Sequence, residues 1–371
     1  MKKKWGALAL AGVLGAAVVT GCSTGGKGEA AEKQTSAGSQ VNAETSAAGE
    51  EGTAESQGKE DLVFVNYRDI RDLNPHLYAG EMYAQEMLYE TLVNITENGY
   101  EGCLAESWDI SEDGKTYTFH SRDGVKFSDG EVCDANAIKA NFDAIIENKD
   151  RHTWLEMMNL LVGVSAPDEN TFVIELSEPY YPMLTELGVT RPFAMISPKA
   201  MKNGSTKDGV EAYIGTGPYV LDEFVTDEYA VFKANPNYWG EQPAIKTITV
   251  KVIPDNQTRI LALEKGEIDM IFGKNMIDAD AINQYLDSDQ FTVELSDPTS
   301  TRQIVLNTSS DILSEKDVRI ALQHATNKQN ISDGIFYGLE KPADTLFAST
   351  VPYCDIELEP YVYDLELAGQ I

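Results

Sequence analysis

Residues 104–130 read LAESWDISEDGKTYTFHSRDGVKFSDG, and the fold is read outward from them. Tyr117 and Phe119 alternate with polar residues, the period of a half-buried strand. Asp113-Gly114, Asp123-Gly124 and Asp129-Gly130 are turn signals, so residues 114–130 predict a hairpin. Asp134 then has the character of an N-cap for a helix carrying Ile138, Phe142 and Ile145 on one face. Toward the N-terminus, DLVFVNY (61–67) predicts a short apolar strand and MYAQEMLYETL (82–92) a helix. Toward the C-terminus, NTFVIEL (170–176) and AIKTITVKVI (244–253) predict strands. NQTRILALEKG (256–266) predicts a helix stopped by Gly266, and EIDMIFG (267–273) a buried strand. Residues 295–306 look extended, and 316–330 form one amphipathic helix with Val318, Leu322 and Ala325 on a shared face. Strands alternating with helices define a mixed α/β protein of more than one lobe.

The chain has 371 residues and a formal net charge of −31, from 60 acidic and 29 basic residues. Such a surface repels phosphate backbones, which excludes a nucleic-acid partner. It also means that an anion site must concentrate its few arginines. The N-terminus, MKKKWGALALAGVLGAAVVTGC, places three lysines before an apolar run too short to span a membrane comfortably. Val19-Thr20-Gly21-Cys22 resembles a bacterial lipobox, so residues 1–22 are expected to be a lipoprotein signal peptide with Cys22 as the lipidation site. Two acyl chains there would hold the protein on the extracytoplasmic face of the cell membrane. Residues 23–60 hold almost no core-forming side chains and read as a disordered tether. Cys103, Cys133 and Cys354 form no C-x-x-C pair and are odd in number, which points to inert thiols instead of a disulfide framework or zinc site.

No nucleophile elbow, H-E-x-x-H or phosphate loop occurs, and the GTG of YIGTGPY (213–219) lacks dinucleotide spacing, so an enzyme is not expected. The 104–130 stretch, IGTGPYVLDEF, NPNYWG, IPDNQTRILALEKGEIDMIFG and LSEKDVRIALQHATNK instead resemble, in this order, the solute-binding proteins of ABC importers in the peptide/nickel family, family 5. LNPHLYAGEMYAQ, NKDRHTWLE and YYPMLTELGVTRPFAMISP narrow the resemblance to its nickel-binding members. The resemblance implies a periplasmic-binding-protein-like two-lobe fold. Residues 61–300 would be the first lobe and 301–371 the start of an incomplete second lobe, the chain being shorter than family members. It implies a monomer that hands cargo to a membrane permease. It also places Tyr78, Met82, Arg151, Trp154 and Arg191 at the ligand. The cargo implied is nickel held by a small carboxylate chelator, with no cofactor.

These residue types fit that cargo. Guanidinium forks pair with carboxylates and stay charged, while aromatic and thioether walls enclose. Blander readings exist for each. Arg151 could pair with Asp150 in solvent, and Trp154 could be core. His76 and His152 adjoin site positions but read better as hydrogen-bonding structural residues than as metal ligands. Arg191, beside a proline in apolar sequence, needs a partner or a ligand. An oligopeptide binder of the same fold, or a tethered surface receptor without a transport role, are the competing readings.

Overall fold

The computed structural model describes residues 59–96, 98–297, 300–348, 351, 354 and 356–371. The expected signal peptide with Cys22, and the expected tether up to residue 58, lie outside the described residues. Among the described residues, no helix is long and apolar enough to cross a membrane.

Strand Asp61–Asn66 is the central one of three parallel strands in a five-stranded mixed sheet. It runs parallel to Thr247–Val252 on one side and to Met270–Ile271 on the other. Tyr229–Ala234 and Tyr219–Val225 extend the sheet antiparallel beyond Thr247–Val252. Both faces of the central strand are covered. Phe64 packs with Phe232 and Val250 on one face, and Val65 with Ala262 and Ile268 on the other. That explains its continuous apolar run, the habit of a parallel strand buried on two sides. Helix Asn256–Glu264 connects two of the parallel strands, capped by Asp255, whose carboxylate accepts the Thr258 N–H at 2.8 Å. Gly266, at φ 70°, ends it as expected.

A second, antiparallel sheet orders Ala105–Ile110, Thr116–Ser121, Thr171–Leu176 and Leu161–Asp168. Its first hairpin turns at Asp113-Gly114, with Gly114 at φ 68°. The hairpin therefore lies earlier than 114–130. The two later Asp-Gly turns are too close together for a strand, and Lys126 bridges Val132 across a tight loop. Asp134 caps helix Ala135–Glu147 by accepting the Ala137 N–H at 2.8 Å. Ile138, Phe142 and Ile145 are all buried there, and Phe142 sits 4.8 Å from Phe172 and 5.9 Å from Phe193 between ring centroids.

Other expectations need correction. Residues 267–273 contribute only Met270–Ile271 to the sheet. Ile268 is buried, but Met270 and Phe272 are exposed because this is an edge strand. No strand occurs among the described residues of 295–306, where Ile304 and Val305 face solvent. The single helix over 316–330 is two, Lys316–Ala325 and Lys328–Phe336, because Asn327 caps the second by accepting the Asn330 N–H at 2.9 Å. Val318, Leu322 and Ala325 do share a face, which lines a shallow apolar hollow with Ala368 and Ile371. Cys103 and Cys133 are buried and Cys354 is half-buried; none is paired among the described residues.

The helix over 82–92 stops at Leu88, as Met82–Leu88. The GTG segment is seated against this end. Gly217 donates its N–H to the Leu88 carbonyl at 2.9 Å, and a Cβ on Gly215 would lie 2.0 Å from the same oxygen. The NPNYWG segment braces it from behind. Asn235 donates to the Gly217 carbonyl at 2.9 Å, and the Trp239 indole donates to Glu90 at 2.8 Å. These glycines serve close backbone packing and not a phosphate.

Replacing Asp134 with Ala should cost about 1 kcal/mol of stability, read as a lower urea midpoint at unchanged slope. An unchanged midpoint would mean that the cap contributes nothing.

Candidate functional site

The candidate site is built on the loop between the central strand and helix Met82–Leu88, whose tip reads LNPHLYAGEMY (73–83). A polar frame holds that loop from inside. Asn74 is fully buried; it donates to the Thr206 carbonyl at 2.8 Å and accepts the His76 N–H at 3.1 Å. Gln85 reaches back from the helix to the Asn74 carbonyl at 3.1 Å. At Gly80 the chain takes φ 80°, and a Cβ would lie 2.2 Å from the Asp72 carbonyl. No other residue fits there without displacing backbone. The loop is thus fixed, and its next residues are presented outward.

Tyr78 is 42% exposed and Trp154 61% exposed, yet they meet. The Trp154 indole N–H donates to the Tyr78 hydroxyl at 2.8 Å, with ring centroids 6.0 Å apart. The same hydroxyl lies 2.6 Å from Nδ1 of His152, which is fully buried. Trp154 is therefore not a core residue. Arg191 joins from the segment Thr190–Phe193, donating through Nη1 to the Ala79 carbonyl at 3.3 Å. Its Nε is buried without a partner, and no carboxylate pairs with it among the described residues. Burial pulls its pKa down, opposed by Glu81, Glu86 and Tyr78. The group stays charged, as guanidinium does throughout the working range. Glu81 is committed elsewhere, to Arg68 at 2.5 Å. A half-buried cation left with one carbonyl is poorly compensated, the condition that an incoming anion relieves.

Met82 opens the helix, 43% exposed, beside the same loop. Arg151 ends the turn Lys149–Arg151 and is exposed, in no ion pair among the described residues, with Asp150 or otherwise. Its charge reaches neighbouring His152. So the structure joins Tyr78, Trp154 and Arg191 through hydrogen bonds and the Ala79 carbonyl. It records no direct contact tying Met82 or Arg151 to them.

His76 and His152 are both buried. His76 Nδ1 lies 2.9 Å from the Thr206 hydroxyl. Burial pushes the His76 pKa down to about 3, with the nearby His152 adding to the effect. Burial, with the adjoining Arg151 charge, pushes His152 down to about 4. Both rings are neutral at neutral pH. Among the described residues, no group of three or more His, Cys, Asp or Glu side chains is placed to hold a metal ion.

The fold and these segments belong to a class: the chain is a member of the bacterial extracellular solute-binding proteins, family 5, whose middle region matches residues 99–371. That is a family of solute-binding proteins and not of enzymes. The chain is 45% identical over 303 residues to the nickel-binding periplasmic protein of Escherichia coli, across 81% of this chain and 58% of that protein. It is 30% identical over 335 residues to the E. coli dipeptide-binding protein, across 83% of this chain and 62% of that one. Among solved structures, NikA from Brucella suis in complex with Fe(III)-EDTA superposes with a TM-score of 0.82 at 45% identity. The match covers 84% of this chain and 63% of that one, so the chain spans about three fifths of the length of these relatives.

The sequence alone did not show that His152 touches Tyr78. The contact joins segments 74 residues apart, which no local pattern announces. The two neutral histidines also set a pH dependence. Their folded pKa values lie below the unfolded value of 6.5, so the unfolded chain binds more protons under mild acid. Stability should be full above about pH 6.5 and decline as the pH falls toward 4. Urea titrations at stepped pH should show that decline, and His76→Gln should flatten part of it.

Proposed function

We propose that this chain is the binding component of an ABC importer and takes up nickel as a small organic-acid chelate. The observation that carries the reading is Arg191: a half-buried guanidinium with no carboxylate partner among the described residues, beside an exposed Tyr78–Trp154 pair. Bare nickel would call for imidazole and carboxylate ligands converging on a point. Guanidinium and aromatic groups instead suit a complex whose outer oxygens carry the negative charge. The likeness to a nickel-binding protein, and to a relative solved with Fe(III)-EDTA, supports the same cargo.

In this reading Arg191 and Arg151 take carboxylates of the chelate, while Tyr78, Trp154 and Met82 enclose it. Cys22 carries the lipid anchor, residues 23–60 span the distance to the permease, and the protein works as a monomer on the extracytoplasmic face. Residues 61–300 form the first lobe and 301–371 begin the second. The likeness to a dipeptide-binding protein favours a peptide as the second reading.

The double substitution Arg151→Ala, Arg191→Ala should weaken binding of Ni(II)–citrate or Fe(III)-EDTA by at least about a hundredfold, two charge-assisted bonds being lost. Isothermal calorimetry measures this. A double variant that binds as the parent does would remove both arginines from the site, and a parent that takes a dipeptide but neither chelate would favour the second reading.

A further inference from the structure

The contact between Tyr78 and His152 decides what Tyr78 offers to a ligand. An indole N–H only donates, so Trp154 fills one lone pair of the Tyr78 oxygen. The 2.6 Å approach of His152 Nδ1 allows two arrangements. Either the hydroxyl gives its hydrogen to the ring, or a ring N–H gives its hydrogen to the oxygen. The far side of the ring chooses between them. His152 Nε2 is buried and has no hydrogen-bond partner among the described residues. If Tyr78 donated to Nδ1, the neutral ring would have to carry its proton on Nε2, a buried N–H with nothing to receive it. Orphaned buried N–H groups are rare, whereas an unused lone pair is tolerated more readily.

We infer that His152 carries its proton on Nδ1 and donates it to Tyr78, so that the phenol oxygen accepts two N–H bonds and its own hydrogen is left to donate to an anionic ligand oxygen. His152 is then a positioning residue that acts through Tyr78. With both lone pairs occupied, the Tyr78 oxygen rejects a ligand group that can only donate, such as an ammonium, and selects a carboxylate oxygen at that point. Arg191, whose charge reaches Tyr78, favours the same ligand charge. The partly exposed phenol keeps its hydrogen, because burial raises its pKa above the ordinary tyrosine value despite the Trp154 hydrogen bond.

The ligand half of this inference rests on the chelate-binding reading; the tautomer does not, and the experiment separates them. In the full chain labelled with 15N-histidine and free of ligand, long-range proton–nitrogen correlation should show His152 protonated at Nδ1. The signal is assigned by its loss in His152→Leu. Protonation at Nε2 overturns the inference. By calorimetry with Fe(III)-EDTA, His152→Leu should weaken binding about tenfold, and the same change in the Tyr78→Phe background should have under about a twofold effect. Equal losses in both backgrounds would make His152 merely structural and overturn its action through Tyr78. A parent chain that takes up no Fe(III)-EDTA overturns the chelate reading and the ligand half with it, while the nitrogen spectrum still decides the tautomer.

Discussion

The buried amide of Asn74 carries much of what is distinctive here. It ties the loop after the central strand to the Thr206 carbonyl and, through its own side-chain oxygen, to His76. A buried polar group is costly unless paired, so the pairing of both the nitrogen and the oxygen of the Asn74 amide holds the loop in this arrangement. Gly80 adds a second constraint by bringing its backbone against Asp72. Tyr78, Ala79 and Met82 therefore project from a fixed frame. The Ala79 carbonyl is then positioned to receive Arg191, more than a hundred residues further along the chain.

That frame sits in a protein whose overall charge opposes its proposed cargo. With a net charge of −31, an anionic chelate gains nothing from the general field. The attraction has to be local, and a cation that is partly desolvated acts locally because nearby water no longer screens it. Arg191 meets that condition through burial; Arg151 is exposed and contributes less unless a ligand covers it. Aromatic faces beside the cations exclude water without competing for the negative charge.

Strands Asp61–Asn66 and Thr247–Val252 and helix Ala135–Glu147 were legible because their patterns are local, whereas Tyr219–Val225 and Tyr229–Ala234 were not read as strands. Asp134 lies one residue before the helix it caps, and Phe64 and Val65 announce a strand covered on both faces. Where local signals conflicted, the reading slipped. Three Asp-Gly pairs suggested one hairpin, and only the first turned two strands of the sheet. The amphipathic pattern over 316–330 read as a single helix, although the Asn327 side chain caps a new one. The edge strand Met270–Ile271 looked buried because apolar sequence does not say which strand lies outermost.

The resemblance of the ordered segments placed the chain among extracellular solute-binding proteins, and in the structure GTGPY seats against the end of helix Met82–Leu88 with NPNYWG bracing it. The same resemblance named Tyr78, Met82, Arg151, Trp154 and Arg191 together, of which the structure joins Tyr78, Trp154 and Arg191. That Trp154 donates to Tyr78, that His152 lies buried behind it, and that Arg191 meets no carboxylate among the described residues were decided by the tertiary structure. Hydrogen bonds between segments so far apart, and the desolvation of a single guanidinium, depend on which surfaces close over which groups. No periodicity in the chain encodes that.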